Sequence, residues 1–305
     1  LTAAIFQTEK TMIDSKLVRQ YHESGCIVVP GLLDTASCKQ MKQVLADLVE
    51  ASRQVERHND VFDLEPTHSK SNPRVRRIKL PHLVDPVFNS FIRSETLLGV
   101  MRQLIGPSLR LRNSKLNLKV PHVGSPVEWH QDWAFYPHTN DDILAVGVML
   151  DDTMIKNGAL HVIPGSHKGP TYDHHDADGY FCGAIDVEAN RIDVSSAVAC
   201  EGAAGSCSFH HVRAIHGSAQ NTSRLQRGLL LYEVTAADAF PLMGIPDYND
   251  FTSRLLCGHE TIEPRTTVCP IRMPLPPSRN QGSIYENQRT AHSYFPVTAE
   301  ATVAP

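Results

Sequence analysis

Hydrophobic positions divide the chain into two stretches of different period. In the first, apolar residues recur at three- and four-residue steps, the spacing of one helix face. Asp14 can cap a segment carrying Leu17, Val18 and Tyr21. Thr35 is placed to cap a longer helix with Cys38, Met41, Val44, Leu45 and Leu48. Ser94 opens a third, with Leu97, Leu98, Met101 and Leu104 on one face and Gly106 at the C-terminal end. Between the first two helices, Gly25 to Pro30 predicts a short apolar strand. Residues 52–80 are polar and rich in Arg, His and Asp, which predicts an irregular loop region.

From about residue 109 the period becomes two. Leu109 and Leu111 alternate with Arg110 and Arg112, and after Asn113-Ser114-Lys115 the alternation resumes at Leu116, Leu118 and Val120. The apolar positions move from odd to even, so a bulge or break is expected near 113–115. Ile143–Leu150, Ala159–Ile163, Cys207–His211 and Gly228–Val234 read as further strands, the second ended by Pro164-Gly165. Short strands separated by turn signals indicate a β-sandwich or barrel. The tail over 264–296 holds six prolines and is expected to wrap the surface. The reading is one domain over 12–305: a helical part to about 108, a β core over about 109–235 and a wrapping C-terminal segment. Residues 1–11 are expected to be an unstructured arm.

Composition narrows the class. At 305 residues with 41% apolar and 20% charged, the chain is globular. A formal charge of −4 gives no basic field for nucleic acid. The longest apolar runs, such as Ile143–Leu150, are far shorter than the roughly 20 residues of a membrane helix. Seven cysteines with no C-x-x-C pair suggest reduced thiols in the cytoplasm. Sixteen histidines prompt a search for a metal site.

That search leads to Glu128-Trp129-His130-Gln131-Asp132-Trp133. On extended chain, residues two apart share a side, so His130 and Asp132 can face one metal. A third ligand must come from elsewhere; His210, His211 and His216 are candidates. Two imidazoles and one carboxylate leave three positions open, which suits a non-heme Fe(II) that binds a chelating co-substrate and O2. Taken alone, His-x-Asp also occurs in surface turns.

Five segments in order resemble the phytanoyl-CoA dioxygenase family of Fe(II)/2-oxoglutarate oxygenases, which includes ectoine hydroxylase. They are Gly25–Gly31, Trp129–Asp132, Asn157–His167, His216–Asn221 and Arg227, eleven residues after His216. The resemblance implies a mainly β fold with flanking helices, a double-stranded β-helix (a cupin-like jelly roll) at its core. It implies Fe(II), 2-oxoglutarate and O2 as cofactor and co-substrates, and hydroxylation of a small molecule with release of succinate and CO2. It favours His216 over His210 and His211 as the distal ligand. It makes Arg227, Ser218 and Asn113 co-substrate contacts, and His167 a structural residue. Related halogenases carry a small residue where this chain has Asp132, so oxygenation is expected. Gly147 and Lys115 stand where family members carry a tryptophan and a methionine, a departure in the co-substrate pocket.

Trp133, Phe135, Tyr136 and His138 follow the metal motif and are substrate-contact candidates, with packing as the plainer role. The basic run Arg74, Arg76, Arg77 and Lys79 is either a solvated face or a clamp for an anionic substrate or co-substrate. Asp173 to Gly179 could form a lid. Two other functions share these ligands: a jelly-roll binding protein without chemistry and a zinc hydrolase. Neither requires Arg227 and Ser218 at their spacing.

Overall fold

The computed structural model describes residues 12–297; the expected arm over 1–11 lies outside them. Helix α1, Ser15–Ser24, starts on Asp14, whose carboxylate accepts from the Lys16 N–H, and stops at Gly25 in the left-handed region. Strand β1 is Cys26–Val29 and helix α2 is Thr35–Ala51. Asp34, not Thr35, caps α2, accepting from the Ser37 N–H. Residues 52–80 are not merely loop. They hold β2, Phe62–Leu64, and β3, Val75–Lys79, followed by α3, Pro81–Val84, and α4, Pro86–Ile92. Helix α5, Glu95–Ile105, is capped by Ser94 and ended by Gly106.

Strands β4, Leu109–Lys119, and β5, Val127–His130, open the β core. It continues with β6, Ile143–Met149, β7, Leu160–Val162, β8, Val198–Cys200, β9, Cys207–His211, β10, His216–Ser218, and β11, Arg227–Ala236. Helix α6, Tyr248–Ser253, strand β12, Leu255–Cys257, and helix α7, Ile284–Asn287, complete the elements. One sheet runs β1-β9-β6-β11-β4-β3-β2 with β12 also on β4; the other runs β5-β10-β7-β8. All the pairings are antiparallel. This is the expected double-stranded β-helix with helices on the larger sheet.

The alternation in β4 has a meaning opposite to that of a strand with one wet face. Its apolar side, Leu116 and Leu118, joins Val146, Val148, Leu230 and Tyr232 in a core packed against helical Phe88 and Met101. Tyr232 fixes this layer by donating to the Phe88 carbonyl at 2.6 Å. The other side, with Lys115, Asn117 and Lys119, faces the inside of the barrel. The expected bulge is present: pairing passes from Glu233–Asn113 to Val234–Leu111, which leaves Arg112 as the extra residue. Strand β4 continues through it. The tail does more than wrap the surface. Tyr285 is buried, and Phe295 stacks on Trp129 with ring centroids 5.4 Å apart.

Candidate active site

Antiparallel pairing of β5 with β10 sets His216 opposite His130. Their rings lie 4.0 Å apart between centroids. Asp132 follows β5 in a single 3-10 turn, Asp132–Ala134, which swings its carboxylate back to the pair. The ligand atoms of His130, Asp132 and His216 lie within 4.8 Å of one another, all buried. Each imidazole is held by its far nitrogen: His130 Nδ1 meets the Glu128 carbonyl at 2.7 Å and His216 Nδ1 the Ala214 carbonyl at 2.9 Å. The Nε2 lone pairs are thereby turned toward Asp132, at 3.8 Å and 4.0 Å. Burial lowers the pKa of His130 to about 4 and that of His216 well below its ordinary value. Burial acts to raise the Asp132 carboxyl, but the neighbouring His210, His216, Lys115 and His130 outweigh it and hold it well below the usual range. Two neutral imidazoles and an ionised carboxylate fit a divalent metal.

The competing histidines separate clearly. His210 projects from β9 into the same cavity, its Nε2 3.6 Å from Asp132 and neither ring nitrogen hydrogen-bonded. His211, next in sequence, points to the opposite face and lies 5.0 Å from the His167 ring. His167 Nε2 meets the His22 carbonyl, a structural contact.

Arg227 begins β11 opposite Lys119 and lines the cavity with Ser218. It is 3% exposed; Nη2 donates to the Gly158 carbonyl at 3.0 Å, while Nη1 and Nε have no partner. Burial lowers its pKa to about 10. Lys119 is fully buried, and burial followed by the Arg227 charge pushes its pKa well down. Its ammonium donates to the Ser218 and Ala219 carbonyls. Among the described residues neither cation has a carboxylate at ion-pair distance. Asn113 is elsewhere. It pairs with Glu233 toward the far end of β11 and lines an outer groove. The β4 amide in the metal cavity is Asn117, whose Oδ1 is unpartnered. Ile284 and Tyr285 of the tail line this cavity too.

The four aromatic candidates divide. Trp133 is fully buried and donates to the Pro270 carbonyl at 2.8 Å, a packing role. Phe135 sits edge-on to His130 at 5.9 Å and to Phe181 at 5.0 Å. The Tyr136 ring lies 3.5 Å from the Arg112 guanidinium carbon, and His138 lines the outer groove. The basic run is not a free clamp, because it forms β3 and its neighbours. Arg76 pairs with Glu286, Arg77 and Lys79 pair with Asp63, and Arg74 bonds Thr67. The Asp173–Gly179 connection is tied down by buried His174, whose Nε2 accepts from the Gln131 N–H. Gly147 faces the barrel, where an added Cβ would lie 2.6 Å from Ser208 Oγ, so a larger side chain must displace that hydroxyl.

The profile of the phytanoyl-CoA dioxygenase family matches residues 21–228. A relative from Stutzerimonas stutzeri, named a probable alpha-ketoglutarate-dependent hypophosphite dioxygenase, is 38% identical over 89% of this chain and 96% of its own. L-proline trans-4-hydroxylase of Streptomyces griseoviridis is 28% identical over 76% of this chain and 90% of its own. In fold, the chain resembles EctD from S. alaskensis with 2-oxoglutarate and 5-hydroxyectoine bound. There the TM-score is 0.64 at 22% identity, over 87% of this chain and 90% of that one. The buried His-Asp-His cluster inside a β-helix, in a chain with these relatives, leads to one conclusion: it belongs to the phytanoyl-CoA dioxygenase family and is an Fe(II)- and 2-oxoglutarate-dependent dioxygenase.

Proposed function

We propose that His130, Asp132 and His216 ligate Fe(II), that Arg227 and Ser218 hold the distal carboxylate of 2-oxoglutarate, and that the substrate is a small anion. The unpaired guanidinium of Arg227, in the same cavity as the three ligands, carries this reading. A buried cation without a counter-ion is costly, and a dianionic co-substrate supplies the missing charge. The planar fork of arginine suits a carboxylate, and Lys119 stands opposite it across the β4–β11 pairing. Bound Fe(II) and 2-oxoglutarate supply the activation of O2 and the oxidising power. The chain's own residues do the remaining work. Glu128 and Ala214 fix the ring tautomers through their carbonyls. Tyr285 and Ile284 help to keep water from the co-substrate side.

An anionic substrate is supported by Lys115, which lines the metal cavity, and by a relative named for hypophosphite, a phosphorus oxyanion. Free thiols at all seven cysteines fit a reducing compartment, and we place the enzyme in the cytoplasm. No helix among the described residues is long and apolar enough to cross a membrane. The test is succinate formation from 2-oxoglutarate with Fe(II), with candidate anions added singly. Succinate release that rises with one anion and vanishes in Asp132→Ala is the expected result. Absence of 2-oxoglutarate consumption under every condition would refute it.

A further inference from the structure

The C-terminal segment sends one polar side chain into the metal cavity. Tyr285, in α7, is 8% exposed and lines the cavity together with Arg227, Ser218 and the three metal ligands. Among the described residues its hydroxyl has no hydrogen-bond partner. A buried phenol left in that state is costly, so the group calls for an acceptor. The ring is fixed from behind. The Arg76 guanidinium carbon lies 4.4 Å from its centroid, and Arg76 pairs with Glu286, the next residue along α7. Glu286 also accepts from the Ser283 N–H and hydroxyl, which closes a capping box at the start of the helix. Arg76, Ser283 and Glu286 are all buried. Beyond α7 the segment is tied to Glu128, whose N–H donates to Gln288 and whose carboxylate accepts from the Ser293 hydroxyl and the Tyr294 N–H.

The chemistry of the surroundings says what that acceptor is. Burial raises the phenol pKa above its ordinary value although Arg76 and Arg227 act to lower it, so the hydroxyl keeps its proton and donates. Arginine offers donors only, so neither guanidinium can receive that proton. Both favour a negatively charged acceptor beside them. A carboxylate has about four lone-pair directions on its two oxygens. The fork of Arg227, whose Nη1 and Nε are unpartnered, takes two of them, and the Ser218 hydroxyl takes a third. One direction remains for another donor. Lys115 is engaged by Glu233, and the unpartnered atom of Asn117 is an oxygen, itself an acceptor. The Tyr285 hydroxyl is the donor that fits.

We infer that the Tyr285 hydroxyl donates to the distal carboxylate of 2-oxoglutarate, so that the C-terminal segment forms part of the co-substrate site. The inference rests on the reading of Arg227 as the anchor of that carboxylate and deepens it. Arg76 and Glu286 then act as positioning residues: they touch no co-substrate and hold the phenol where it can.

The test compares wild type with Tyr285→Phe, which removes the hydroxyl and keeps the ring. Each is titrated under anaerobic Fe(II) with 2-oxoglutarate and with 2-oxobutyrate, which has the same chelating end but no distal carboxylate. Binding is read from the visible absorption of the metal–keto-acid complex, and folding from the urea midpoint. Tyr285→Phe should bind 2-oxoglutarate about ten- to hundredfold more weakly, the worth of a charged hydrogen bond, and 2-oxobutyrate within about twofold of wild type. Without co-substrate the two urea midpoints should coincide, because the hydroxyl gives up no hydrogen bond within the protein. Equal 2-oxoglutarate affinity in the two enzymes overturns the inference. So does a loss shared equally by the two keto acids, or one matched by a fallen urea midpoint, because either marks a packing role. Wild type that binds 2-oxoglutarate no better than 2-oxobutyrate would instead overturn the reading of Arg227.

Discussion

Replacing Arg227 with Met should make the protein more stable in the absence of 2-oxoglutarate and unable to respond to it. Burial lowers the guanidinium from its ordinary value of 12.5 to about 10. At ~1.4 kcal/mol per unit, the folded chain carries an unfavourable charge of about 3 kcal/mol. Methionine removes that term while keeping most of the stem's packing. It also removes the hydrogen bond to the Gly158 carbonyl, at a cost of about 1–2 kcal/mol. The net expectation is a gain of about 1–2 kcal/mol, seen as a higher urea midpoint with unchanged slope. Adding 2-oxoglutarate reverses the order. At a hundredfold excess over Kd a ligand stabilises its protein by about 2.7 kcal/mol, and only wild type should gain it. A variant that loses stability without 2-oxoglutarate, or that gains as much from it as wild type does, would refute the reasoning.

Alanine at His130, Asp132 or His216 should abolish Fe(II)-dependent succinate formation and retain the far-ultraviolet dichroism of wild type. His211→Ala should still bind one Fe(II) per chain by metal analysis, because that ring lies outside the cluster. Gly158→Ala should cost about 1–3 kcal/mol in urea unfolding. Its φ is +87°, and a Cβ would lie 2.5 Å from Lys119 Cδ and 2.9 Å from the Ala219 carbonyl oxygen. Stability of the metal-free protein should fall as the solution is acidified. His82, His130 and His138 have pKa values of about 4, and His174 and His211 about 3, below the ordinary 6.5, all chiefly through burial. These rings stay neutral in the fold while the unfolded chain takes up protons, so stability declines from about pH 6.5 toward pH 4. A urea midpoint constant across that range would contradict the assignment.

The helix starts, the period change at 109 and the shared face of His130 and Asp132 were legible because each leaves a short-range mark. Caps sit next to the first turn, and His130 and Asp132 sit two apart. Asp34 and Thr35 both suit a cap, so the start of α2 shifted by one residue. What was not legible depended on what lies behind a face. The polar positions of β4 look like a wet surface in sequence, but they line the barrel; Asn117 and Lys119 were missed for that reason, and Lys115 was singled out only through the family resemblance. An amide was expected near the co-substrate, but the bulge at Arg112 and the register with β11 set Asn113 at the other end, with Asn117 in the cavity. The basic run was read as loop because Asp63, which pairs with Arg77 and Lys79, is supplied by the preceding strand β2 rather than by a neighbour in sequence. Nothing local marked Tyr285, because its place depends on the tail returning to the barrel.

That return gives biosynthesis an order. His130, Asp132, His216 and Arg227 leave the ribosome before Tyr285 and Phe295 do. In the order of synthesis, the wall formed by Ile284 and Tyr285 is the last part of the cavity lining to be made. A chain cut short after β11 would carry His130, Asp132, His216 and Arg227 but not that wall.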